Sequence, residues 1–182
     1  MTPTEEAQSL IDQSVASTFS PKIEATPLAK FDAWKEEMES IDLTSGPQIM
    51  RKLLQAYEWT TKAAITVHKR LGDAIEDMKH EEAKAKLERF SDYYEANKTK
   101  LGALKDSAAL RDTYLALDEE YRKSVARVNM LKALSKFMDN KADSYRMAHD
   151  DAKKIYDKVL GQTRSGNGSY GAPNGGFGDQ GY

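Results

Sequence analysis

Between Tyr121 and Met138 the chain carries no acidic residue, while Arg122, Lys123, Arg127, Lys132 and Lys136 all fall inside that span. At about 100° per residue on a helix, these cations flank an apolar stripe instead of pointing into it. A second basic group, Lys79, Lys84, Lys86 and Arg89, leads directly into Phe90, Tyr93 and Tyr94. Cations for phosphates and rings for stacking are what sequence-tolerant binding of single strands requires, at about 1–3 kcal/mol per stacked base. A competing reading uses the same residues. Lysine and arginine on a long helix commonly do no more than solvate it, and Phe90 and Tyr94 also fit the apolar stripe.

Other chemistry finds little support. His80-Glu81-Glu82-Ala83-Lys84 opens like a zincin motif but ends in lysine where the second ligand should stand. Asp77 and His80 have the spacing of a di-iron bundle, yet such a site needs a second copy and two further inward carboxylates. His149 falls on the apolar stripe, where a partly buried polar residue sets helix register. With no cysteine there is no disulfide framework and no thiolate metal site. Gly166-Asn167-Gly168 follows no strand and opens no helix, so it is not a nucleotide loop. No serine or threonine is matched to a base in a catalytic pattern. The expectation is a protein without cofactor, metal or enzymatic activity.

Long helices must position these cations. From Leu110, steps of three and four residues meet Tyr114, Leu117, Tyr121, Ser124, Val128, Leu131, Ser135, Met138, Ala142, Tyr145, His149, Ala152, Tyr156 and Val159. The run contains no proline or glycine and predicts one helix to Leu160, with Leu117, Tyr121, Val128, Leu131, Met138 and Tyr145 in its core seam. An earlier run through Met50, Leu53, Tyr57, Thr60, Ala64, Val67, Leu71, Ala74, Met78, Glu81 and Ala85, continuing by Leu87, Phe90 and Tyr94, predicts another helix to about Asn97. Gly72 weakens it by about 1 kcal/mol without ending it. A turn between 97 and 107, with a fresh cap at Asp106-Ser107, folds the two into an antiparallel hairpin. The predicted class is all-α, and its stripes predict assembly into a homo-oligomer.

Three regions follow. Residues 1–46 form an acidic arm, with nine acids against three bases, and hold two short helices. Thr2-Pro3-Thr4-Glu5 and Thr26-Pro27 read as their starts, and Ser20-Pro21 breaks the first. Such short helices need something to dock on; the arm either closes one end of the bundle or presents a partner with an acidic, aromatic-bearing surface. Residues 47–160 are the hairpin, mildly basic with twenty-three bases against nineteen acids. Residues 161–182 hold eight of the eleven glycines with Tyr170, Phe177 and Tyr182 among them, and are expected to be a disordered tail. No apolar run is long enough to span a bilayer and no secretory leader is recognisable, so no membrane association and a cytoplasmic location are expected.

Tyr57-Glu58-Trp59, Ser91-Asp92-Tyr93-Tyr94, Leu110-Arg111-Asp112-Thr113-Tyr114, Met130-Leu131-Lys132-Ala133-Leu134 and Asp143-Ser144-Tyr145-Arg146 together resemble the UvsY family of phage recombination mediators over roughly residues 50 to 157. The chain departs from that family's pattern at Asp143-Ser144-Tyr145, where an Arg-Gly-aromatic turn is usual, and in its arm and tail. The resemblance implies a ring-forming helical protein that binds single-stranded DNA in the host cytoplasm. It would help a RecA-type recombinase displace single-strand-binding protein during recombination, repair and replication. Lys84, Lys86 and Arg89 would hold the strand with Arg122, Arg127 and Lys132 on the second helix. The alternative is a coiled-coil scaffold or adaptor, for example in virion assembly, with no nucleic-acid binding.

Overall fold

The computed structural model describes residues 2–16, 27–101 and 107–166. Its elements are α1 (Pro3–Ala16), α2 (Pro27–Glu36) followed by a 3₁₀ turn (Glu37–Ser40), α3 (Gly46–Lys84), a π-helical turn (Ala85–Arg89), α4 (Phe90–Leu101), α5 (Ala108–Leu115) and α6 (Glu119–Gly166). No strand occurs among the described residues.

α3 and α6 pack antiparallel: Gly46 sits against the Tyr156 ring, His68 meets Asp139 at 3.1 Å, and Asp77 meets Arg127 at 3.7 Å. α3 brings small residues to the seam, Ala56, Ala63, Ala64 and Ala74 with Val67. α6 brings larger ones, Val128, Leu131, Leu134, Met138 and Tyr145, all buried. The predicted hairpin is the frame of the fold.

The arm lies along this frame. Ala7, Leu10 and Ile11 of α1 join Leu28 and Phe31 of α2 in the same core. Thr2 and Glu5 form the expected reciprocal cap: the Thr2 amide donates to Glu5 at 2.8 Å and the Glu5 amide to the Thr2 hydroxyl at 3.3 Å. α2 is held by polar pairs as well, Lys141 to Asp32 at 2.6 Å and Lys35 to the Ser144 hydroxyl at 2.8 Å. Phe31 meets Trp59 and Tyr145 edge-on, at centroid distances of 5.4 and 5.9 Å. Burial and then the neighbouring Asp32 charge keep the Tyr145 phenol protonated, and its hydroxyl lies 3.2 Å from the Leu28 carbonyl. Past α2, Ile41 closes the open end of the hairpin with Ile49, Leu53, Ala148 and Ala152. The predicted break at Ser20-Pro21 and the Thr26 cap lie outside the described residues.

Four expectations need correction. The second long helix is interrupted at Ala116–Asp118, because Asp118 starts α6 as its N-cap, accepting from the Tyr121 amide at 2.8 Å. Leu117 falls in that break and is 60% exposed, so it is not a core residue. The first helix continues to Leu101 through a π-turn, whose extra residue carries the stripe from Ala85 to Phe90 and leaves Leu87 71% exposed. At the other end α6 runs to Gly166, since one glycine at 161 does not stop a helix already propagating. Residues 167–182, most of the predicted tail, lie outside the described residues, as do 102–106 of the predicted turn. Ser107 does cap α5, accepting from the Leu110 amide at 3.2 Å.

Thr60 is fully buried and its hydroxyl has no hydrogen-bond partner. Thr60→Val keeps the shape and removes an unsatisfied polar atom, so it should raise unfolding free energy by about 1 kcal/mol in urea titrations. Gly46→Ala should act in the opposite direction. A Cβ there overlaps the Tyr156 ring, so a loss of about 1–3 kcal/mol is expected despite better helix propensity.

Candidate nucleic-acid interface

The two predicted basic groups lie toward the end of the hairpin where the chain turns, but most of their charges are already matched. Arg89 is the centre of a network. Its Nε and Nη2 donate to Asp118 at 2.7 and 2.8 Å, a two-pronged contact, and Nη1 donates to Glu81 at 3.0 Å. Nη2 also reaches the Glu81 carbonyl at 3.3 Å. Tyr114 donates its hydroxyl to Asp118 at 3.1 Å. The Asp118 side chain is 4% exposed, so this carboxylate is buried and fully subscribed. Burial raises its pKa, but the Arg89, Tyr121 and Tyr114 hydrogen bonds outweigh that and leave it below the ordinary aspartate value. Arg89 therefore ties the π-turn to the start of α6, and its donors are consumed inside the chain.

Other predicted contacts are occupied in the same way. Lys86 bridges Asp112 at 2.8 Å and Glu82 at 2.9 Å, and these two bonds hold it more firmly protonated than a free lysine. Lys84 pairs with Glu81 at 3.2 Å, and Lys123 with Glu119 at 2.8 Å and Glu120 at 2.9 Å. Arg127 meets Asp77 across the hairpin. Tyr93 packs on Tyr114 with ring centroids 4.9 Å apart, and Tyr94 packs on Phe90 at 5.8 Å. Both tyrosines are half-buried in this aromatic cluster, with Arg111 over the Phe90 ring. Four predicted cations differ: Lys79, Arg122, Lys132 and Lys136 are exposed and make no ion pair among the described residues.

A groove of about 610 Å³ opens between α3 and α6 beside the network, lined by Ala74, Asp77, His80, Glu81, Lys84, Glu120, Lys123, Ser124 and Arg127. Three carboxylates face three cations there, so its field is mixed and does not select an anion. Among the described residues no cluster of three or more His, Asp or Glu is placed to hold a metal ion. Nor is any described helix long and apolar enough to cross a membrane.

The ion pairs of Asp118 and Asp112, and the hydrogen bond from the stripe residue Tyr114 to Asp118, are absent from the sequence-based expectations. A signal for the first was present in Asp118-Glu119-Glu120, an N-cap residue followed by two acids in a first helical turn. Lys86–Asp112 and Arg89–Asp118 join residues far apart in the chain, and no local spacing announces them.

Asp118→Ala should cost about 2–3 kcal/mol, since it removes the α6 cap and strands the Arg89 guanidinium. Because the folded-state pKa of Asp118 is depressed, its charge stabilises the fold fully above about pH 4, the unfolded aspartate range, and ceases to as pH falls through the folded value. Asp118→Asn should accordingly flatten the acid limb of the stability profile, read by denaturation between pH 2 and pH 7, about the range in which carboxylates titrate. Comparison of the chain with known protein families, curated proteins and solved structures finds no match.

Proposed function

We propose that the chain is a single-stranded-DNA-binding accessory protein of the recombination-mediator type, assisting a RecA-type recombinase against single-strand-binding protein. The observation that carries this reading is the acid-free span 121–138, three of whose cations, Arg122, Lys132 and Lys136, stand exposed without an ion pair among the described residues, although the Arg122 charge reaches Glu119. Lys79 adds a fourth on α3. Exposed cations free of carboxylates are the ones that can exchange condensed counterions for phosphate contacts, which is the source of sequence-independent affinity. The resemblance of residues 50 to 157 to the UvsY pattern supports the same reading. The binding surface so proposed differs from the Lys84–Lys86–Arg89 group, whose charges serve the fold. The apolar faces of α1 and α2 are spent on the hairpin, so a protein partner would read the acidic outer side of the arm, where Glu36 at the end of α2 and Glu39 of the following turn are exposed.

The second reading, a coiled-coil scaffold or adaptor without nucleic-acid binding, is favoured by one observation: Lys84, Lys86, Arg89, Lys123 and Arg127 are each held by a carboxylate of the same chain.

Fluorescence anisotropy with a labelled oligothymidylate over a salt series separates the two. Wild type should bind at low salt and weaken steeply as salt rises. Alanine at Lys79, Arg122, Lys132 and Lys136 together should weaken binding by more than about tenfold and flatten the logarithmic salt slope by about 0.7 per cation removed. A Lys84→Ala/Lys123→Ala control should bind nearly as wild type. Absence of wild-type binding in dilute buffer would leave the scaffold reading in place.

A further inference from the structure

α1, α2 and the 3₁₀ turn after α2 cover one side of the α3–α6 pair, through contacts at Lys52, Trp59 and Arg70 of α3 and at Lys141, Ser144 and Tyr145 of α6. Among the described residues the opposite side is bare. There a groove of about 310 Å³ runs between the helices, with small residues Thr61, Ala64 and Ala142 in its lining, His68, Asp139 and Asp143 at its edge, and Ile65, 62% exposed, beside them. Leu54, 41% exposed, lies three turns from Ile65 on the same side of α3. A surface that carries both an apolar knob and a small-residue recess is fitted to a copy of itself.

The charges make the match specific. Within the hairpin His68 lies opposite Asp139 and Asp77 opposite Arg127. Carried along the helices, that register sets Glu58 level with Arg146, Lys62 level with Asp143, and Asp73 level with Lys132. All six are exposed, and Asp143 and Arg146 pair with each other at 3.2 Å within the chain, a contact the interface would exchange. A two-fold axis parallel to the helices would lay α3 of one molecule on α6 of another, antiparallel and in this same register. Each of those levels then becomes an opposite-charge pair between molecules, formed twice by symmetry. Two levels, Lys69 with Lys136 and Arg51 with Lys153, set like charges together; Asp139 one turn from Lys136 and Asp150 one turn from Lys153 supply counter-charges. A strip as long as α3, about 58 Å, and two helices wide, about 20 Å, offers on the order of 1,000 Å² per molecule, enough for a standard interface.

We propose that this bare face is an isologous dimer interface between two copies of the chain, with Ile65 of each seated in the groove of the other and the Glu58–Arg146, Lys62–Asp143 and Asp73–Lys132 levels setting its register. It competes with the nucleic-acid reading for two cations: the dimer pairs Lys132 and sets Lys136 level with Lys69, and leaves Lys79 and Arg122 outside these levels.

Sedimentation of the full chain without DNA tests it. Wild type should form dimers. Lys62→Glu and Asp143→Lys, each at an exposed position and each checked for helicity, should weaken dimerisation by at least about tenfold, because each homodimer then faces like charges twice. Mixed in equal amounts, the two variants should regain dimers, since both contacts in the mixed pair are again opposite in sign. Ile65→Ser should weaken association without any change of charge. A wild-type chain that stays monomeric at about 100 µM overturns the proposal. So does a dimer indifferent to these substitutions, or a mixture that fails to recover.

Discussion

Everything in this fold leans on a stripe of alanines. Where α3 faces α6, Ala56, Ala63, Ala64 and Ala74 let the two backbones approach, and the larger Val128, Leu131, Leu134, Met138 and Tyr145 of α6 fill the space they leave. Alternating small and large residues across a seam is how long helices reach interior packing density without strain. An alanine face, however, buries little apolar area by itself. The hairpin therefore needs a further layer, and the arm supplies it with Leu10, Ile11, Leu28 and Phe31. Tyr145 joins the layers, its ring against Phe31 and its hydroxyl against α2.

The turning end is held differently. Beyond Ala74 the apolar seam thins, and an ionic network takes over in which Arg89 grips Asp118 and Glu81. A carboxylate as buried as Asp118 is tolerated because it accepts from a guanidinium, a phenol and a backbone amide together. The π-turn belongs to this arrangement. By adding one residue to the helical phase it brings Phe90 onto the buried side with Tyr93, Tyr94 and Tyr114, and turns Leu87 out. Charges and rings that resemble a strand-binding surface on paper are here the cement of a helix junction.

Two consequences for function come from this division of labour. Cations engaged in the junction have little left to offer a polyanion, whereas those on the outer sides of α3 and α6 keep their charge unspent. Among the described residues the side of the hairpin away from the arm stays uncovered, with rows of charge beside a recess of small and polar residues. The proposed roles, holding a single strand and joining a second copy, therefore draw on exposed residues outside the core, of which Asp143 and Arg146 pair with each other.

The helical class, the hairpin and several caps were legible in the sequence, since each depends on residues within one or two turns of one another. The stripe from Met50 to Ala85, the Thr2–Glu5 cap and the Ser107 cap are all of this local kind. Asp118 was within reach of the same reasoning, but the unbroken spacing on either side of Leu117 concealed it. Which cations are free was not legible. Lys86 and Lys132 are alike as sequence, yet one is bridged by Asp112 from across the turn and the other makes no ion pair among the described residues. Local periodicity determines which face a side chain occupies; only the tertiary fold decides what stands opposite, because the partner arrives from a distant part of the chain.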